Sequence, residues 1–192
     1  QKEHSRDAIP YADAAGWAPT VKGNPAELYV GENPRVTFPL LASAARGLGS
    51  LSVNLDRDGV LRRVPLLVRH GDQLYPLLSF RAVCDYLGVP PEKMSLTPGK
   101  HIVLRDANAP GASAPHDIVI PIDPDGNMVV NYIGPWGRMA HYRFDKILSA
   151  LDDRDEMEIL KDLLKGRIVV VSDNSLGSTD TGPVPIDPDF PL

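Results

Sequence analysis

The sequence predicts an α/β domain: a mixed sheet containing two antiparallel hairpins, flanked by helices. Three observations predict it. The motif Asp-x-Asp-Gly occurs at Asp56–Gly59 and again at Asp123–Gly126, each time between apolar or alternating runs, and a glycine free to take positive φ suits a tight strand connection. Between the two motifs, Leu77, Phe80, Cys84 and Leu87 recur at helical spacing. Finally, 19 prolines and 16 glycines against 6% aromatics demand many turns and argue against a helical bundle. With 192 residues the chain has enough length for one ordinary core.

Residues 1–38 form a separate stretch, rich in Pro, Gly and charge in its first 35 residues and without clear periodicity apart from a short strand expected at Leu28–Val30. They read as an extended, wrapping start to a domain that occupies 39–192. A helix from about Pro39 to Arg46 is expected to end at Gly47 as its left-handed cap. Leu51, Val53 and Leu55 alternate with Ser50, Ser52 and Asn54, the period of a half-buried strand, and Val60–Arg69 reads as its return strand. Pro76–Leu87 reads as an amphipathic helix with Arg81 and Asp85 paired on the far side. A strand is expected at 101–105, a loop at Ala107–Pro115, and a second hairpin from Ile118–Ile122 and Asn127–Ile133.

Helices follow near Phe144–Leu151 and from about Arg154 to Lys165, with Met157, Leu160 and Leu164 inward. The acidic start of the latter and its basic end complement the macrodipole, and Gly166 stops it. Arg167–Val171 reads as a short strand buried on both faces. Pro183–Leu192 closes on no predicted helix or strand. The start at Gln1 has no initiator Met and no apolar leader, so the chain reads as a soluble piece of something longer, with a neighbouring element missing.

A net charge of −5 with no long basic block argues against gripping nucleic acid or anionic lipid through the overall field. Cys84 is the sole cysteine, so no internal disulfide can form. The five histidines, His4, His70, His101, His116 and His141, show no zinc-ligand spacing. Counted from Asp56 and from Asp123, the twelfth residues are Leu67 and Gly134, where a calcium loop of the EF-hand type needs Glu. Gly47-Leu-Gly49 lacks a preceding strand and a third glycine, and neither a Walker-type loop nor a Gly-x-Ser-x-Gly elbow is present. No cofactor is expected.

Two readings of Asp56-Arg-Asp-Gly-Val60 stand side by side. It resembles the opening motif of haloacid-dehalogenase-type phosphotransferases, in which Asp56 would attack phosphorus and Asp58 protonate the leaving oxygen beside Mg²⁺, with Asp173 as a further metal carboxylate. The plainer reading, a turn, also explains the recurrence at Asp123–Gly126. A nucleophile needs a buried parallel strand before it, and Ser52 and Asn54 interrupt this one. Arg62, on a face with Val60, Val64, Leu66 and Val68, must find an anion: a turn carboxylate such as Asp56 or Asp58, or a ligand. Asn131, Tyr132, Trp136 and Tyr142 are the other candidates for lining a ligand cleft, with core or hairpin packing as the alternative.

Laid side by side, the hairpins and their neighbours resemble the second type of CHASE domain, a sensory extracellular domain associated with bacterial cyclases and histidine kinases. The matching residues are Gly47-Leu-Gly49, Asn54-x-Asp-x-Asp-Gly-Val-x-Arg-Arg-x-Pro65, Tyr75-Pro76, Pro121-Ile-Asp123 with Gly126, Asn131-Tyr-x-Gly-Pro135, Tyr142-x-Phe144 and Lys165-Gly-x-Ile-Val-Val-Val171. Ser172 stands where that family usually has Gly, and the family's Ile-Asp, Trp-Pro and Gly-Val-x-x-His motifs are absent. The resemblance implies a non-catalytic sensor outside the cytoplasm, in the periplasmic part of an inner-membrane protein. In the whole protein it would be flanked by membrane helices, coupled to a nucleotide cyclase or else a kinase, sense a small-molecule or protein signal, and work as a homodimer. It carries over no binding residues.

Overall fold

In the computed structural model, residues 15–32, 34–172 and 181–191 are described. Internal contacts divide the chain into two units, residues 1–56 with 62–130 and residues 57–61 with 131–192. The first contains strands β1 (Thr20–Val21), β2 (Arg63–Pro65), β3 (Leu67–His70), β4 (Gln73–Pro76), β5 (Met94–Thr97), β6 (His101–Ala107), β7 (His116–Pro121) and β8 (Asn127–Val129), with helices α1 (Pro39–Ala44) and α2 (Leu78–Leu87). The second contains helices α3 (Phe144–Ser149) and α4 (Arg154–Leu164) and strands β9 (Thr181–Val184) and β10 (Asp187–Pro191). No helix among the described residues is long and apolar enough to cross a membrane.

The first unit is built on a mixed four-stranded sheet in the order β1-β5-β6-β7, parallel between β1 and β5 and antiparallel elsewhere. In β6, Ile102 and Leu104 are buried while His101, Val103 and Arg105 are not, the alternation of a sheet with one covered face. The cover is α2, whose Phe80, Cys84 and Leu87 are buried together with Leu77 just before its first turn. Gly88 at φ +69 takes the left-handed cap and directs its N–H back to Cys84 and Asp85 carbonyls. Trp17, Leu67, Leu74, Met94 and Leu96 complete this core. Each such side chain contributes roughly 1.5–3 kcal/mol of burial.

The mixed sheet, antiparallel hairpins and flanking helices match the expected fold class, but the strands pair differently from the sequence reading. Neither Asp-x-Asp-Gly joins a hairpin. The turn at 57–59 forms, with Gly59 at φ +80, yet Leu51, Val53 and Leu55 before it make no strand and are exposed. Instead β2, which follows the first motif, pairs antiparallel with β8, which follows the second, in the register Arg63↔Val129, Val64↔Met128, Pro65↔Asn127. The tight hairpin is β3–β4, where His70 and Gln73 pair across Gly71-Asp72. Gly71 alone is at positive φ, +58, as a II′ turn requires of its first central residue. Val60–Arg69 is thus not one return strand: pairing begins only at Arg63, and the chain changes partners at Leu66.

Three further expectations are corrected. Helix α1 stops at Ala45 rather than at Gly47, which is not left-handed. The glycines there provide space: a Cβ at Gly49 would overlap the Leu78 backbone, and one at Gly47 the Arg81 guanidinium. Residues 167–172 form no strand, and Ile168–Val171 are exposed, since no described strand pairs with them. The chain's last stretch does close on structure of its own, the antiparallel β9–β10 pair. In the second unit, helix α4 starts at Arg154 as expected, and Asp153 caps it by accepting from the N–H groups of Asp155 and Glu156, but Met157, Leu160 and Leu164 are only half-buried.

Candidate functional site

Asp56 is held by two arginines of the strand that follows it. Its Oδ2 accepts from Arg62 Nη1 at 3.0 Å and its Oδ1 from Arg63 Nη1 at 3.3 Å. Both carboxylate oxygens are therefore engaged, and Arg62 finds the turn carboxylate expected of it. Asp58 accepts from the Val60 N–H, 3.2 Å away, pinning the turn from within. Asp56 neutralised by two cations is poorly placed to attack an anionic phosphate behind Mg²⁺. Asp173, the other carboxylate of the phosphotransferase reading, lies outside the described residues, as does His4.

Arg62 belongs to the first unit and Asn131, Tyr132, Trp136 and Tyr142 to the second. Tyr132 donates its hydroxyl to the Leu61 carbonyl at 2.9 Å and meets Phe190 edge-on at 5.8 Å. Burial there pushes its phenol up from the ordinary value. It is a packing residue that ties β10 to the chain near Leu61. Trp136 begins a single 3-10 turn, 136–138, and Asn131 and Tyr142 are exposed. Cys84 is wholly buried; desolvation, with the Asp85 charge added, pushes its thiol from 9.0 up to about 12. It has none of the thiolate character that reactive cysteines need.

The sequence reading missed a cavity of about 510 Å³ in the first unit. Its origin lies in how residues 15–31 clasp the β3–β4 hairpin. On one edge the Trp17 backbone N–H donates to the Leu74 carbonyl at 2.7 Å; on the other, the backbone N–H of Gly31 donates to the Arg69 carbonyl and that of Arg69 to the Tyr29 carbonyl, each at 2.9 Å. Between these clamps the chain leaves to form β1 beside β5 and a 3-10 turn at Pro25–Glu27, capped by Asn24. The detour leaves an opening at the hairpin tip, lined by Trp17, Asn24, Pro25, Arg69, Asp72 and Gln73 among others. Trp17 is fixed from behind by Phe80 at 6.0 Å and by the Arg81 guanidinium at 5.6 Å.

Arg69 is the unusual group. Its Nη1 donates to the Gly71 carbonyl at 3.1 Å, but its Nε is buried without an acceptor. A buried N–H of a cation left unpaired costs free energy. The signal in the sequence was a cation closing the run Val64–Val68, two positions before Gly71-Asp72.

The family model of the CHASE2 domain matches residues 7–192. The chain belongs to the CHASE2 family. CHASE2 domains are extracellular sensory domains of signalling proteins, not catalytic ones. All the motif residues from Gly47 to Val171 lie within the matched span. No curated protein and no solved structure matches the chain.

Proposed function

We propose that this CHASE2 domain is the ligand-sensing, extracytoplasmic module of a bacterial membrane protein, placed in the periplasm and coupled to a nucleotide cyclase or else a sensor kinase. The observation that carries the reading is the family match across residues 7–192. The cavity held by the β3–β4 clasp supports it, because a sensor needs a site whose occupancy favours one arrangement over another. The energy available for signalling is the difference in ligand affinity between the two arrangements, expressed through packing between two copies of the domain.

The test is a topology reporter. Alkaline phosphatase, which needs an oxidising compartment for its disulfides, is fused after Leu192 in the complete protein in its own membrane. Strong activity is expected, together with inactivity of a β-galactosidase fused at the same place. The reverse pattern would place the domain in the cytoplasm and sink the reading.

A further inference from the structure

We infer that the cavity at the β3–β4 tip is a site for a small zwitterion of the amino-acid class, with Arg69 taking the carboxylate and Asp72 the ammonium. The inference deepens the sensory reading above and rests on it. Two charges of opposite sign line the same opening, three residues apart, and do not pair with each other. Arg69 spends Nη1 on the Gly71 carbonyl and keeps a buried Nε without an acceptor. Asp72 enters no hydrogen bond or ion pair among the described residues. The hairpin requires this: Gly71-Asp72 is its two-residue turn, so Asp72 projects from the tip while Arg69 lies one residue inside the pairing.

A carboxylate is the acceptor that fits Arg69. With Nη1 committed, the edge formed by Nε and Nη2 presents two parallel donors, the geometry that binds both oxygens of a carboxylate. The guanidinium turns slightly to bring that edge into the cavity and gains the acceptor its Nε lacks. A simple dianion meets Asp72 as a like charge, whereas an ammonium on the same ligand meets it as a partner. Trp17, Ala18, Pro19 and Pro25 make part of the lining apolar, a wall for a side chain, and about 510 Å³ holds a molecule of this size with room for water.

The experiment uses the 192-residue chain and four probes: L-leucine, L-alanine, propionate and n-propylamine. Binding is read by calorimetry and by the rise in Tm that a ligand selective for the folded state produces. Saturable binding of an amino acid, with propionate and n-propylamine weaker, is the expected result. Asp72→Asn, at an exposed turn, should weaken amino-acid binding about tenfold or more, as loss of a hydrogen bond to a charged group does, and strengthen propionate, which no longer meets a like charge. Arg69→Gln should remove both; should it fail to fold, Asp72→Asn decides alone. Failure of both amino acids to bind, or propionate binding as tightly as alanine and indifferent to Asp72, would overturn the inference. An active export reporter with no amino-acid binding refutes this site alone; an inactive reporter refutes the sensory reading whatever binds.

Discussion

The same four-residue pattern is used twice in this domain, and the two copies do different work. At Asp56–Gly59 the turn points outward: Arg57 and Asp58 are exposed, and a side chain on Gly59 would meet nothing. At Asp123–Gly126 the turn is built into the core of its unit. Gly126 is buried, a Cβ there would stand 2.7 Å from Leu28 Cδ2, its carbonyl accepts from Leu66, and the Asp125 carbonyl accepts from Tyr29. Asp123 accepts from the Asn127 N–H at 2.8 Å and from its side-chain amide at 3.2 Å. A motif thus specifies a local backbone path, and its surroundings decide whether stability depends on it.

Substitutions at equivalent positions should separate the copies, read by urea unfolding. The largest effect belongs to Gly126→Ala. Its φ of +84 and the Leu28 contact act together, for a loss of about 3 kcal/mol from left-handed strain plus overpacking. A Leu28→Ala background should recover the overpacking part, a coupling a double-mutant cycle detects; strict additivity would show that the contact does not matter. Asp123→Ala comes next, at about 1.5 kcal/mol for two lost hydrogen bonds on a half-buried carboxylate.

Gly59→Ala should cost about 1 kcal/mol, the conformational strain alone, because the space around it is open. A loss as large as that at Gly126 would contradict the exposed placement of the first turn. The smallest effect is expected at Asp56→Ala. Its two ion pairs involve arginine side chains 38% and 48% exposed, so roughly 0.5 kcal/mol is the scale of what they contribute. That loss should shrink further at high salt, and a salt-independent loss would mean that Asp56 acts through packing instead.

Local signals were legible wherever one element carried its own instructions. The stripe Leu77, Phe80, Cys84, Leu87 marks the buried face of α2, and Asp153 with the acidic first turn marks where α4 begins. The pairing of Arg62 with a turn carboxylate was legible for the same reason, since both ends lie within six residues. Strand partnership was not. Alternation at Leu51, Val53 and Leu55 predicts a strand, but period two says only which side chains share a face, and these three are left exposed. The apolar run Ile168–Val171 misled in the same way, reading as a doubly buried strand while no described strand pairs with it. The cavity escaped notice because Trp17 and Arg69 are far apart in sequence and meet only through the clasp around β3–β4.

By itself the sequence determined the helices, the turn chemistry at both Asp-x-Asp-Gly motifs, the fold class and the family, because caps, glycine φ and helical periodicity are satisfied within a few residues. Only the tertiary structure decided that β2 seeks β8 rather than its chain neighbour, that one turn is buried and the other exposed, and that a pair of unmatched charges faces an opening. The reason is that backbone hydrogen bonding between strands and desolvation of side chains are set by whichever distant segment arrives alongside, and the short-range pattern is indifferent to which segment that is.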